Sequence, residues 1–214
     1  MQLSCNSRAG SFPAMLTSKL RLLAALVVLL PAGCASGRVA DFAYSTPVPT
    51  KLRACYAYGC RRSAYFPVTQ TIADRFAAIM DEGKASPEAE RTAVAKAVQY
   101  YEDLSVQAIG ARDLPKSPVI ASGEKGQMDC IDESTNTRTV LQYLESRNLL
   151  TYHKVRPNTS RGILIDGRYP HWTAVLRDTS GTDWAVDSWY EPAGGPPDIM
   201  HLAEWRTHGV MGER

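Results

Sequence analysis

Three residues in this chain have the types and order of a thiol-based catalyst: Cys130, His171 and Asp187, separated by 41 and then 16 positions. A cysteine becomes a nucleophile as its thiolate, and a helix N-terminus favours that form through unpaired backbone N–H groups and the positive end of the helix dipole. The apolar positions Val140, Leu141, Leu144 and Leu149 recur at helical spacing behind Cys130, which predicts a helix that opens at or near this residue. The same N–H groups would bind a developing oxyanion, with Gln127 as a candidate extra donor. Asp129, Asp132 and Glu133 crowd the thiol with negative charge, so activation requires an imidazolium to outweigh them.

His171 opens the run His171-Trp172-Thr173-Ala174-Val175-Leu176, and Asp187 closes the run Trp184-Ala185-Val186-Asp187. The intervening Arg177-to-Asp183 stretch, with Gly181, predicts a hairpin turn. Two antiparallel strands joined in this way bring His171 and Asp187 to one end of a sheet, where a carboxylate orients an imidazole. Taken singly, each residue has a plain structural reading: a buried packing cysteine, a surface histidine at a strand start, an aspartate in a turn. A metal site built from Asp129, Cys130, Glu133 and His171 matches no common zinc spacing, so no metal and no cofactor is expected. Trp189 and Tyr190, just beyond Asp187, are candidates for the wall of a substrate groove, while the other tryptophans read as core or cleft wall.

Upstream, Ile72, Phe76, Ile79 and Met80 fit one face of a helix over Thr71 to Glu82, stopped by Gly83. Ser86-Pro87-Glu88 supplies an N-cap, a first-turn proline and an acid for a second helix that runs to Gly110. Ala111 to Lys125 reads as a loop. After the Cys130 helix come short β-like runs at Tyr152 to Val155, Gly162 to Ile165, Trp172 to Leu176 and Trp184 to Val186. The expected fold is α+β, with helices first and an antiparallel sheet second.

The order Cys, His, Asp, with the cysteine at a helix start and its partners on adjacent strands, resembles the transglutaminase-like superfamily. Asp129-Cys130 with Asp132 is similar to the Asp-Cys-Glu-Asp segment of the bacterial transglutaminase-like cysteine peptidases, with Ile131 in place of an acid. The resemblance covers about residues 120 to 205. It implies a papain-like core in which Cys130 is the nucleophile, His171 the general base and acid, and Asp187 its orienter. Ile131 and the segment Ser134-Thr135-Asn136-Thr137 set this chain apart as a separate subfamily, so no substrate is carried over. Arylamine acetyltransferases share the residue order, but the Arg-Gly-Gly that precedes their cysteine is missing here.

The chain has 214 residues, 44% hydrophobic and 21% charged, the balance of one ordinary globular domain plus a terminal segment. Its net charge of +2 and the lack of a basic, aromatic-interleaved run argue against nucleic acid as a partner. Lys19 and Arg21 precede the apolar run Leu22 to Leu30, which has the length and flanks of a signal-peptide core, so residues 1–33 are expected to be a signal peptide, with Met15 an alternative start. Leu30-Pro31-Ala32-Gly33-Cys34 resembles a bacterial lipobox, with Pro31 the departure. That implies lipidation of Cys34, attachment to a membrane by a lipid anchor and a periplasmic cell-envelope location; a plain signal peptide and an uncleaved anchor are the alternatives. Residues 34–50 then form a tether and residues 51–214 the catalytic domain. Cys55 and Cys60 are spaced for a local disulfide, which an oxidising compartment permits, and Cys130 is left as the unpaired thiol. These expectations describe an envelope thiol hydrolase or acyltransferase acting on a peptide or protein amide. The alternative is a non-catalytic binding or assembly module on the same fold.

Overall fold

The computed structural model describes residues 48–117 and 119–209. The expected signal peptide, Cys34 and most of the expected tether lie outside the described residues. Among the described residues no helix is long and apolar enough to cross a membrane.

The first element is a hairpin that the sequence reading missed. Strand β1 (Lys51–Tyr56) pairs antiparallel with β2 (Arg62–Pro67), with Leu52 opposite Phe66 and Ala54 opposite Ala64. Arg53, Arg61 and Arg62 interrupt the apolar alternation that would have announced it. The expectation that helices come first is therefore corrected.

Helix α1 (Gln70–Asp81) begins at the N-cap Thr69, whose hydroxyl accepts from the N–H of Ile72. Helix α2 (Pro87–Ile109) has the expected Ser86 cap and first-turn proline, and ends at Gly110 with φ 73°, a left-handed conformation that glycine adopts without a Cβ clash. A short 3₁₀ turn (Val119–Gly123) lies within the loop that leads to α3 (Cys130–Ser146).

A four-stranded antiparallel sheet follows in the order β3 (His153–Arg161), β4 (His171–Asp178), β5 (Asp183–Asp187) and β6 (Asp198–His201). The runs expected at Tyr152 to Val155 and at Gly162 to Ile165 are corrected: β3 is one longer strand, and Gly162 to Ile165 lies in the loop after it. Pro157 fits within β3 because this is an edge strand whose register shifts between Arg156 and Thr159, a place where a residue without an N–H is tolerated. The one-turn helix α4 (Leu202–Trp205) closes the described fold.

Residues alternate across the sheet, so Ala174, Leu176 and Val186 join Phe76, Val94, Val98, Tyr101, Leu141 and Leu144 in the main core, while Val175 and Ala185 pack with Leu202 and Trp205. A buried hydrogen-bonded carboxyl supports this arrangement: Glu90 on α2 accepts from the N–H groups of Thr151 and Tyr152 and stands 2.8 Å from Nδ1 of His153. Burial alone would raise the Glu90 pKa, but these partners outweigh it and hold the carboxyl below its usual range. His153 thus has a context that its sequence neighbours did not reveal.

Candidate active site

Helix α3 begins where the sequence placed it, with Cys130 as its first residue. Asp129 is the N-cap and accepts from the N–H groups of Ile131 and Asp132, while the Asp132 carboxylate reaches back to the N–H of Asp129, forming a capping box. Two of the three acids near the thiol therefore serve the helix start. Asp132 has a further task, because its carboxylate also accepts from the N–H groups of Tyr58 at 2.7 Å and Cys60 at 2.5 Å, and Asp129 accepts from Gly59. Ala57, Tyr58, Gly59 and Cys60 all have positive φ, a conformation that costs a non-glycine residue roughly 1 kcal/mol or more. The N–H groups of Tyr58, Gly59 and Cys60 converge on the two carboxylates like a nest around an anion, while that of Ala57 donates to the Gln127 carbonyl. The Cys55–Cys60 disulfide closes this loop. Burial, reinforced by Asp129, raises Asp132 to about 6 despite the backbone donors.

The thiol is buried against the start of β4. Its Sγ lies 4.0 Å from the carbonyl of Pro170, and the backbone N–H of Trp172 is near enough to act on it, so the thiol meets the chain on either side of His171. Burial pushes the thiol pKa up to about 11, with Asp129 and Asp187 adding to the rise and the Trp172 N–H opposing it.

His171 and Asp187 fall on one face of the sheet, because Val175 pairs with Ala185 and side chains two residues apart share a face. His171 Nε2 donates to Asp187 Oδ2 at 2.7 Å, and both side chains are buried. The same Oδ2 accepts from Trp205 Nε1 at 2.7 Å. The imidazole is enclosed by Trp189, Tyr190 and Trp205, with ring centroids 4.8, 5.6 and 5.7 Å away. Arg161 braces this enclosure from β3, donating to the Trp205 carbonyl and to the Tyr190 hydroxyl. Nδ1 of His171 is buried with no hydrogen-bond partner among the described residues. With Nε2 committed to Asp187, Nδ1 is the ring nitrogen available to exchange a proton.

Glu133 faces inward. Ser188 Oγ donates to it at 3.1 Å and lies 2.9 Å from Thr137 Oγ1, which ties the first turns of α3 to the residue after Asp187. Glu133 also shares a hydrogen bond with Asp113, and Glu102 lies close enough to act on it electrostatically. Burial raises all three carboxyls, Asp113 to about 6, Glu102 to about 8 and Glu133 well above its ordinary range. Burial thus disfavours the charged form of Glu133, which works against the negative charge expected from it beside the thiol.

The oxyanion role expected for Gln127 is corrected. Its Nε2 donates to the carbonyl of Arg112, and its Oε1 accepts from the N–H of Leu114 and lies 2.7 Å from the Ser117 hydroxyl. Both ends of this amide brace the 112–117 loop. Sequence reasoning placed Glu133 near the thiol and read Trp205 as core or cleft wall, but missed the bond from Trp205 to Asp187 and the presence of Glu102 and Asp113 beside Glu133, since these residues lie far apart in the chain and carry no shared spacing.

Comparison with protein-family models, curated proteins and solved structures yields no match. The chain is thus read on its own geometry.

Proposed function

We propose that this protein is a cell-envelope thiol hydrolase or acyltransferase that acts on peptide or protein amides through Cys130, His171 and Asp187. The observation that carries the reading is the polarity of His171: Nε2 is fixed by a buried carboxylate, Nδ1 is unpartnered, and Cys130 Sγ contacts the residues on both sides of the same histidine. The resemblance to transglutaminase-like peptidases supports it, as does the α+β order of a helix-opening cysteine followed by strands that carry the other two residues.

Nδ1 takes the thiol proton, and the thiolate attacks the amide carbon. The C–N bond breaks, the amine leaves with the proton held on Nδ1, and a thioester to Cys130 remains. Water or an acceptor amine then attacks the thioester and yields its proton to Nδ1. The S–C bond breaks, and the acid or the new amide departs. Asp187 stabilises the imidazolium in both halves, and the α3 backbone amides supply donors for the oxyanion. Catalytic hydrogen bonds that are absent in a free enzyme commonly form only with substrate, which fits a thiol resting against Pro170.

The decisive test is acylation by p-nitrophenyl acetate followed by intact-mass analysis. Wild type should gain one acetyl group on Cys130, and Cys130→Ala should gain none. A folded wild-type protein that remains unacylated would reject the triad and leave the binding-module alternative.

A further inference from the structure

We infer that the site takes an amide flanked by apolar side chains, held by a rim built from the β3–β4 loop, from Ile131 and from Trp172. This deepens the reading above and rests on it.

The loop from Gly162 to Pro170 leads directly into His171 and carries three consecutive aliphatic residues in the open, Ile163, Leu164 and Ile165, at 66%, 64% and 91% exposure. Large exposed aliphatic side chains seldom cluster in this way without something to cover them. The loop has a defined backbone. Leu164 N–H donates to the Arg168 carbonyl, Gly167 N–H donates back to Leu164, and the Asp166 carboxylate accepts from the N–H groups of both Ile163 and Arg168. Leu164 is held at φ 65°, where a leucine is strained. The hydrogen-bonded turn holds this unfavourable backbone and presents its apolar side chains to solvent.

The rim continues to the thiol itself. Trp172 and Tyr169 flank the Pro170-His171 pair and are both exposed, and Ile131, the residue after Cys130, is exposed as well. Arg161 and His171 are register partners, so the tip between them projects from the sheet end at which Sγ meets Pro170.

Charge narrows the occupant further. The two ionic groups of the tip, Asp166 and Arg168, pair with each other at 3.6 Å. Two acids, Asp129 and Asp187, act on the thiol. An apolar stretch of peptide matches this surface, and an acidic one is repelled by it.

The test compares fluorogenic peptide amides that differ only beside the scissile bond, carrying Leu or Ile in one series, and Ser or Asp in the other. Wild type and Ile163→Ser/Ile165→Ser are assayed, with thermal unfolding to show that the double variant is folded. Wild type should favour the apolar series in kcat/KM by about tenfold or more, as expected for burying one or two aliphatic side chains, and the double variant should shrink that ratio several-fold. Equal ratios in the two proteins, or a wild-type preference for Asp, would overturn the inference while ester acylation of Cys130 still upheld the triad. Loss of Cys130 acylation in wild type would remove both. Co-sedimentation with phosphatidylethanolamine–phosphatidylglycerol vesicles that depends on Ile163 and Ile165, with peptide preference unaltered, would overturn it in favour of a membrane contact.

Discussion

His171 Nε2 stands 2.7 Å from Asp187 Oδ2 with both side chains buried, and Trp205 Nε1 holds the same oxygen from the other side at 2.7 Å. An amide in place of the carboxylate can satisfy only part of this arrangement and no longer stabilises an imidazolium. Asp187→Asn should therefore lower the turnover of an amide substrate by about 10³- to 10⁴-fold with little change in fold. Trp205→Phe removes one donor to a charged group, a loss of about 1.5–3 kcal/mol that should appear as a shared fall in kcat and stability. Steady-state kinetics beside thermal unfolding separate the two effects. An Asp187→Asn protein that keeps wild-type turnover would show that the carboxylate has no catalytic part.

The thiol pKa is pushed up to about 11 by burial, and a neighbouring imidazolium would oppose that rise by favouring the thiolate. Iodoacetamide alkylation of wild type at neutral pH should thus outpace that of His171→Ala, in which no imidazole takes the thiol proton and the rate climbs towards about pH 11. Rate against pH for both proteins checks this, and superimposable profiles would exclude a working pair.

Glu102, Asp113 and Glu133 all bind protons more tightly in the fold than their ordinary values of 4.5, 3.8 and 4.5. The folded state then holds protons that the unfolded chain releases, so their contribution is greatest below about pH 4 and is lost as pH rises towards about 8. Glu133→Gln keeps an acceptor for Ser188 and a donor for Asp113 but cannot ionise. Its melting temperature should match wild type near pH 5 and exceed it near pH 9. An unchanged pH slope would mean that Glu133 titrates normally.

Legibility in the sequence followed local chemistry. Ser86-Pro87 and Gly110 bound α2 as read, and Cys130 opens α3, because caps and helical periodicity act within a few residues. His171 and Asp187 were placed by one hairpin, again a local device. What escaped was set by distant partners. The β1–β2 hairpin is held to α3 through Asn136, which bonds both the N–H and the carbonyl of Cys55 from 81 positions away. Gln127 looked free to meet an oxyanion until the 112–117 loop folded over it. Trp205 reaches Asp187 only because α4 returns beneath the sheet.

The Cys55–Cys60 loop ties redox state to the nucleophile's helix. Asp132 holds the N–H groups of Tyr58 and Cys60 while reaching back to Asp129, so the carboxylate that stabilises the strained loop is the one that completes the α3 cap. Closing a loop this short contributes about 2 kcal/mol by chain entropy. Once it is opened, four consecutive positive-φ residues are free to relax, and the two carboxylates lose the donors that Tyr58, Gly59 and Cys60 supply. Replacing both Cys55 and Cys60 by alanine should lower stability by about that amount and slow Cys130 acylation. Asp132→Asn should do the same with the disulfide intact, since a neutral amide binds the nest less tightly. Denaturant unfolding together with ester acylation measures both. If acylation in the two variants equals that of wild type while stability falls, the loop supports the fold without setting the position of the thiol.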